Sequence, residues 1–166
     1  MSDKIGLFTG SFDPVTLGHL DIIIRASHLV DQLYVGIFYN KDKAGLFSVE
    51  SRQSMLEASL ADYPKIKVIT ARDSLAVDIA KQLGVTHLVR GLRNATDFEY
   101  EANLAYYNHH LVADLETVFL LTADQYRHVS SSRIRELIHF EADIAAFVPQ
   151  AVVTEVEKQF GHQQRI

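Results

Sequence analysis

Residues 10–19 read GSFDPVTLGH, and this stretch decides how the rest of the chain is interpreted. Residues 4–8 before it are apolar and predict a buried strand, whereas residues 20–26 after it have the apolar pattern of a helix. The stretch is therefore a strand-to-helix turn that is rich in glycine and small polar residues. Such a turn brings backbone N–H groups and the positive end of a helix dipole together, which suits a phosphate.

Four residues of the turn carry this prediction. Thr16 is a good N-cap, which places Gly18 and His19 in the first turn of the helix. Gly18 lets a ligand approach the backbone, and His19 offers either a directional hydrogen bond or a positive charge. Ser11 offers a hydroxyl to the same space. The alternative is that Thr16 is only a cap and that His19 is an ordinary surface residue.

The composition fits a soluble globular protein with one domain over residues 1–160 and a short tail at 161–166. The chain has 166 residues, of which 48% are hydrophobic and 22% charged, and it has no cysteine. Disulfide and thiolate chemistry are therefore excluded. No apolar run approaches the length of a membrane span and no signal peptide is evident, so we expect a cytoplasmic protein.

The formal net charge of −5 argues against a general nucleic-acid or membrane-surface binder. Basic residues nevertheless gather near the ends of predicted strands, which favours a small anionic ligand. The alternative is a set of scattered, solvated charges. The residues concerned are Lys41, Lys43, Arg90, Arg93, Arg127, Arg133 and Arg135.

Apolar runs alternate with helical patterns along the chain. Strands are predicted at 4–10, 32–39, 66–71, 85–90 and 116–121, and helices at 17–30, 48–61, 74–83, 95–112, 130–140 and 149–160. This alternation predicts an α/β fold, a doubly wound (Rossmann-like) five-stranded parallel sheet with helices on both faces in a single domain. Such a sheet binds its ligand at the carboxyl ends of the strands.

The helix predicted at 95–112 differs from the others because it has two apolar stripes. A surface helix needs one stripe, so two stripes predict burial on both sides. We favour a contact with a second copy of the chain, and a core helix is the alternative. The first stripe is Phe98, Ala102, Ala105, His109 and Val112, and the second is Tyr100, Leu104, Tyr107 and Leu111.

Arg90 and Arg93 are expected to leave the fourth strand together, with Gly91 freeing the backbone between them. Two guanidinium groups can bind two phosphates in a bidentate manner. Glu101 would face back toward the turn, where it could accept from a ribose hydroxyl or orient an arginine. The alternative is a purely structural arginine–glutamate network, which we disfavour because two arginines should not crowd a strand end without an anion.

Two further segments predict anion binding. Three consecutive serines at 130–132 open a helix, and they present hydroxyls and free N–H groups at its positive end. The loop at 40–47 carries Lys43, a mobile point charge suited to a phosphate oxygen. A solvated lysine loop is the alternative for this second segment.

The turn at 10–19 resembles the T/HxGH motif of the nucleotidyltransferase α/β superfamily. Together with the Asn-x-x-Lys loop, the block at 90–101 and the serine run, it makes the chain closely similar to the phosphopantetheine adenylyltransferase family over about residues 4–160. Sister cytidylyltransferases share the turn but characteristically differ at the 90–101 block and the serine run. The resemblance implies transfer of AMP from ATP to 4′-phosphopantetheine, which gives dephospho-coenzyme A and pyrophosphate, the penultimate step of coenzyme A synthesis.

The resemblance also implies roles for particular residues. Those implied in catalysis are His19, Lys43 and Arg93. Those implied to bind ATP are Ser11, Phe12, His19, Gly91, Leu92, Arg93, Glu101, Tyr126, Arg127, His128, Val129, Ser130, Ser131 and Ser132. Those implied to bind 4′-phosphopantetheine are Ser11, Lys43, Ser74, Leu75 and Arg90. The departures from the usual pattern of the family are Thr9, Lys41, Ser74 and Asn103.

The same resemblance implies Mg²⁺ carried by ATP, with no protein ligands for the metal. It implies a homohexamer and feedback by coenzyme A. Two other functions stay open on the sequence. One is a different nucleotidyltransferase, such as a cytidylyltransferase that acts on a phospho-alcohol. The other is a nucleotide-binding regulatory module without turnover.

Overall fold

Five strands form one parallel sheet in the computed structural model, which describes residues 3–161. In chain order they are β1 (Ile5–Gly10), β2 (Gln32–Tyr39), β3 (Ile66–Arg72), β4 (His87–Leu92) and β5 (Glu116–Leu121). Their order across the sheet is β3-β2-β1-β4-β5, and every neighbouring pair is parallel. The predicted α/β class with a Rossmann-like sheet is therefore confirmed.

Six α-helices accompany the sheet between residues 3 and 161. They are α1 (Leu17–Ser27), α2 (Val49–Ser59), α3 (Ala76–Leu83), α4 (Ala95–Leu111), α5 (Ser131–His139) and α6 (Gln150–Phe160). No helix in this part of the chain is both long enough and apolar enough to cross a membrane. Of the predicted tail at 161–166, residues 162–166 lie outside the described residues.

Apolar side chains alternate between the two faces of the sheet, as β1 illustrates. Phe8 joins a large core with side chains from α1, α2, α5 and α6, whereas Leu7 joins a smaller core with Val77 and Ala80 of α3. Helices therefore cover both faces, which is the layering that the alternating sequence pattern predicts.

The end of β4 differs from the prediction. The strand continues to Leu92 because Gly91 and Leu92 pair with Leu120 and Leu121 of β5. Arg90 therefore lies within the strand, and the prediction that both arginines leave the strand together was wrong. Gly91 does not free the backbone, since it pairs with Leu120 within the strand, and a Cβ there would lie 3.1 Å from Cγ1 of Ile22. Its small size lets α1 pack closely on β4.

The start of α3 also differs from the prediction of a helix from residue 74. The Ser74 hydroxyl donates to the carbonyl of Arg72, which continues the strand-end turn instead of the helix. Leu75 is the extended N-cap, and the helix begins at Ala76. Its other end confirms the sequence pattern, because Gly84 is the C-cap with a φ of 64°.

The helix α4 lies on the surface of the chain. Glu101 is its one buried residue, and Tyr100, Tyr107 and Leu111 are 64%, 56% and 54% exposed. The core-helix interpretation was therefore wrong for a single chain. The second apolar stripe is left in solvent, where it is free to contact another molecule.

Candidate active site

The cavity that contains most of the predicted site residues lies at the switch point of the sheet, where the strand order reverses. β1 has β2 on one side and β4 on the other, so the connections after β1 and β4 leave a crevice at their carboxyl ends. A cavity of about 350 Å³ occupies this crevice, between the amino ends of α1 and α5. The predicted site residues that line it are Ser11, His19, Arg90, Gly91, Arg93, Glu101, Tyr126, Val129, Ser130, Ser131 and Ser132.

His19 is fixed by a capping box at the start of α1. The backbone N–H of His19 donates to the hydroxyl of Thr16 at 3.3 Å, and the backbone N–H of Thr16 donates to Nδ1 of His19 at 3.0 Å. A backbone N–H can only donate, so Nδ1 must be the acceptor and carries no proton. In the neutral ring the proton is therefore on Nε2.

The environment of His19 also keeps its ring neutral. Burial and the positive charges of Arg93 and Arg90 lower the pKa of His19 from 6.5 to about 4. The Phe12 ring packs against the imidazole at right angles, with 5.1 Å between ring centroids. Of the two roles that the sequence left open, the geometry supports the directional donor and disfavours a positive charge at neutral pH.

Phe12 itself does not line the cavity. Its φ of 47° lies in the left-handed region, and its side chain is buried in the core beside Phe8. The implied contact of Phe12 with ATP could therefore come only from its backbone. The aromatic side chain instead supports the imidazole of His19.

Arg90 is held by an acidic side chain from α4. Its Nε and Nη2 donate to the two carboxylate oxygens of Glu101 at 2.8 and 2.7 Å. Its Nη1 donates to both the carbonyl and the hydroxyl oxygen of Thr9. These contacts use four of the five N–H donors of the guanidinium and leave one for a ligand.

Arg93 is held by Asp97, which lies one helical turn before Glu101 on α4. Its Nε and Nη2 donate to the carboxylate of Asp97 at 3.0 and 3.4 Å, which leaves three N–H donors. Burial raises the pKa of Asp97, but hydrogen bonds from Arg93 outweigh this effect and lower it. The argument that two arginines require an external anion was incomplete, since α4 supplies a carboxylate to each. Arg93 keeps more donors for a phosphate than Arg90.

Each hydroxyl of the serine run has a partner within the protein, but only that of Ser131 donates its proton, and those of Ser130 and Ser132 accept. Ser130 accepts from the backbone N–H of Arg133, Ser131 donates to the carbonyl of Pro14, and Ser132 accepts from Nη2 of Arg135. In the described part of the chain, the backbone N–H groups of Ser131 and Ser132 have no acceptor. The run therefore offers two amides at a helix amino end.

Several predicted residues lie away from this cavity. Lys43 borders a second cavity of about 350 Å³ beside the end of β3, together with Lys41 and Arg72. Leu92 is buried in the sheet, and Leu75 is exposed at the start of α3. The other residues outside the lining are Ser74, Arg127 and His128, all of them exposed.

Asp97, Thr9 and Arg135 line the cavity with polar side chains, although no role for them was predicted from the sequence. Asp97 follows Arg93 by four residues, a spacing that would have indicated an ion pair on α4. Thr9 was noted only as a departure from the family pattern, and Arg135 only as a cation near a strand end. The contacts of Thr9 with Arg90 and of Arg135 with Asp13 join segments that are distant in sequence, so local patterns do not predict them.

The acidic groups in the described residues do not form a metal cluster. Between residues 3 and 161, no group of three or more His, Asp or Glu side chains gathers in a geometry that could hold an ion. The two carboxylates of the cavity, Asp97 and Glu101, accept hydrogen bonds from arginines instead. The carboxylates of the cavity therefore orient its guanidinium groups.

The crevice at the strand-to-helix turn gathers a histidine, two arginines and two free backbone amides, all of them donors suited to phosphate oxygens. The family model described as Cytidylyltransferase-like matches residues 7–137, and this match defines the chain as a member of the nucleotidyltransferase class.

Curated relatives define the family more narrowly. The chain is 66% identical to the phosphopantetheine adenylyltransferase of Streptococcus mutans serotype c, and 53% identical to that of Streptococcus uberis, over 100% of both chains in each case. It is 57% identical to the enzyme of the same name from Streptococcus pyogenes serotype M1, over 95% of this chain and 97% of that one. The chain therefore belongs to the phosphopantetheine adenylyltransferase family.

Proposed function

We propose that this protein transfers AMP from ATP to 4′-phosphopantetheine, giving dephospho-coenzyme A and pyrophosphate. The observation that carries the proposal is the convergence of His19, Arg93 and the amides of Ser131 and Ser132 on one cavity. One phosphate would need fewer donors, whereas a triphosphate and an attacking phosphate need donors on several sides. The full-length similarity to the named relatives supports this choice of acceptor.

The reaction is a direct displacement at phosphorus. An oxygen of the acceptor phosphate forms a bond to the α-phosphorus of ATP, and the bond from that phosphorus to the β-bridging oxygen breaks. Pyrophosphate leaves with the electron pair. The acceptor phosphate is largely ionised near neutral pH, so no strong general base is required, and catalysis comes from positioning and charge stabilisation.

His19 is the proposed donor to the transition state. Its Nδ1 is occupied by the backbone of Thr16, so its Nε2–H is the group left to donate to a non-bridging oxygen of the α-phosphate. A neutral imidazole is suited to this task because it keeps its proton on one defined nitrogen. Arg93 would stabilise charge that develops on the same phosphate and on pyrophosphate.

The remaining residues divide between the two substrates. The amides of Ser131 and Ser132, with the 126–130 segment and the backbone of 91–92, are proposed to hold ATP. Ser11 and Arg90 are proposed to bind the acceptor phosphate together with Lys43, which reaches it from the loop at 40–47. Ser74 and Leu75 are proposed to line the pantetheine arm. Each role follows from family resemblance and from position at the carboxyl edge of the sheet.

Mg²⁺ is proposed to enter with ATP and to be held by phosphate oxygens, as is usual for this ion. The described residues fit this arrangement, because Asp97 and Glu101 already accept from arginines and no acidic cluster forms between residues 3 and 161. The ion would supply charge neutralisation to the triphosphate. The donors from the protein would then act on the α-phosphate.

The exposed stripe of α4 supports the proposal of an assembly. Tyr100, Leu104, Tyr107 and Leu111 are all exposed on one side of the helix, which is typical of a surface that contacts another copy. A homohexamer with feedback by coenzyme A is what membership of the family leads us to propose. Because its substrates are cytoplasmic metabolites, the enzyme is proposed to act in the cytoplasm.

The test is pyrophosphate release with 4′-phosphopantetheine as acceptor, compared between ATP and CTP. We expect turnover with ATP and little with CTP. Release with CTP and a phospho-alcohol, but not with ATP, would instead identify a cytidylyltransferase. ATP binding measured by calorimetry without any release would identify a regulatory module.

A further inference from the structure

A buried ion pair connects the turn at 10–19 with the loop at 40–47. Asp13 and Arg52 are only 6% and 5% exposed, and Nε of Arg52 lies 3.3 Å from Oδ1 of Asp13. Burying two charges is costly, and the pair persists only where hydrogen bonds satisfy the remaining polar atoms. The contacts of each residue therefore show what the pair holds in place.

The carboxylate of Asp13 binds the end of the loop. Its Oδ2 accepts from the backbone N–H of Leu46 at 2.8 Å, and its Oδ1 accepts from the backbone N–H of Phe47 at 2.9 Å. Asp13 belongs to the same turn as Ser11 and His19. The side chain thus attaches the loop directly to the segment that carries the proposed transition-state donor.

Arg52 binds both segments from the side of α2. Its Nε donates to the carbonyl of Phe47 at 2.9 Å, and its Nη1 donates to the carbonyl of Ser11 at 3.3 Å. One guanidinium therefore contacts the loop, the carboxylate of Asp13 and the backbone of Ser11. Its planar set of donors suits three such acceptors, and a lysine would not reproduce it.

Gly45 lets the loop pass against this pair. A Cβ at Gly45 would lie 1.7 Å from Nη2 of Arg52 and 2.6 Å from Oδ2 of Asp13. No side chain fits in that space. At the start of the loop, the backbone N–H of Lys41 donates to Asp73 at 3.1 Å, so both ends are fixed. Lys43 lies between the two attachments.

We propose that Asp13 and Arg52 are positioning residues that set the place of Lys43 relative to Ser11 and His19. Neither residue lines the cavity that contains His19, so they act through the loop and through the backbone of the turn that they join to it. The inference rests on the proposed role of Lys43 at the acceptor phosphate. It predicts that replacing a residue of the pair lowers kcat/KM for the acceptor far more than it changes KM for ATP.

The experiment measures initial rates of pyrophosphate release while each substrate is varied in turn, together with thermal unfolding. The variants are Arg52→Met, Arg52→Lys and Gly45→Ala, and Met55→Ala is the matched control. Met55 is buried on the same helix as Arg52 but contributes only to the core.

We expect Arg52→Met and Gly45→Ala to lower kcat/KM for 4′-phosphopantetheine by about 10- to 100-fold, since small misplacements are costly. KM for ATP should stay within about twofold. Arg52→Lys should lower kcat/KM for 4′-phosphopantetheine nearly as much as Arg52→Met, because a lysine lacks the planar set of donors.

A double-mutant cycle separates positioning from simple destabilisation. If Arg52 acts through Lys43, Arg52→Met should lower kcat/KM for the acceptor much less in a Lys43→Ala background than in the wild type. Equal losses in the two backgrounds, or losses that follow the unfolding temperature as in Met55→Ala, would overturn the inference. If Arg52→Met does not fold, Gly45→Ala provides the same comparison. Wild-type turnover with ATP distinguishes failure of this inference from failure of the proposed function.

Discussion

The backbone N–H of Thr16 donates to Nδ1 of His19 at 3.0 Å, and this contact determines which nitrogen of the neutral ring carries the proton. The residue that caps α1 thereby also selects the tautomer of the proposed catalytic group. A sequence motif of threonine and histidine three residues apart has a physical meaning here, because the two side chains complete one capping box.

Replacing His19 by two different residues should separate catalysis from stability. Gln at this position can still accept from Thr16, as in an ordinary capping box, but its flexible amide N–H₂ replaces the Nε2–H that the rigid ring holds in one direction. We expect both His19→Gln and His19→Ala to lower kcat by about 10²- to 10³-fold. Only His19→Ala should also lose about 1 kcal/mol of unfolding free energy. Rates of pyrophosphate release and chemical denaturation measure the two effects, and a wild-type kcat in either variant would contradict the proposed role.

The pKa of His19 predicts a loss of stability in acid. Its pKa is about 4 in the folded chain, against the ordinary 6.5 of an exposed histidine, so the unfolded state binds more protons between these two values. The free energy of unfolding should therefore fall as the pH decreases from 6.5 to 4, and His19→Gln should fall less. NMR titration of the ring carbon resonances checks the pKa directly. A midpoint near 6.5 would show that burial does not keep the ring neutral.

Glu101→Gln tests whether the carboxylate of Glu101 orients Arg90 for the acceptor phosphate. The carboxylate accepts from two nitrogens of Arg90, and an amide can accept from only one of them. We expect kcat/KM for 4′-phosphopantetheine to fall by about tenfold or more, as for loss of a charged hydrogen bond. KM for ATP should change less, since Arg93 has its own partner in Asp97. An increase confined to KM for ATP would instead place Glu101 on the ribose.

Ser132→Ala tests whether amides or hydroxyls of the serine run bind ATP. The hydroxyl of Ser132 accepts from Arg135, whereas its backbone N–H has no protein acceptor in the described residues. Removing the hydroxyl leaves the amide in place, so we expect KM for ATP to stay within about threefold. A rise of tenfold or more, measured by initial rates, would assign the contact to the hydroxyl.

Tyr107→Glu tests the exposed stripe of α4. A charge placed in a covered apolar contact is unfavourable, so the variant should dissociate toward the chain mass of 18.7 kDa, measured by light scattering after size-exclusion chromatography. Gln82→Glu, on the exposed side of α3, is the control and should keep the wild-type mass. A wild-type assembly in Tyr107→Glu would show that this stripe is not the contact.

The alternation of apolar strands and helical patterns was sufficient to predict the sheet. The bounds of β2 and β5 agree with the prediction. The end of β4 was not predictable, since it depends on pairing with β5. The exposure of α4 was not predictable either, because two apolar stripes do not say which molecule covers them.

The candidate site was predictable where a local motif carries it. The turn at 10–19 and the serine run have the caps and glycines that their positions require, and the structure brings them to one cavity. The partners of the arginines depend on the packing of α4 against β4, and the attachment of the 40–47 loop depends on α2. Such contacts between distant segments leave no periodic signal in the sequence.

The helix α4 has one further consequence. It supplies the carboxylates that hold both arginines, from Asp97 and Glu101, and it is the same helix whose apolar side chains are exposed. Any rotation of α4 therefore moves both guanidinium groups together. If the proposed assembly covers α4, dilution that dissociates it would loosen both groups at once, and specific activity would fall as the enzyme is diluted, before the chain itself unfolds.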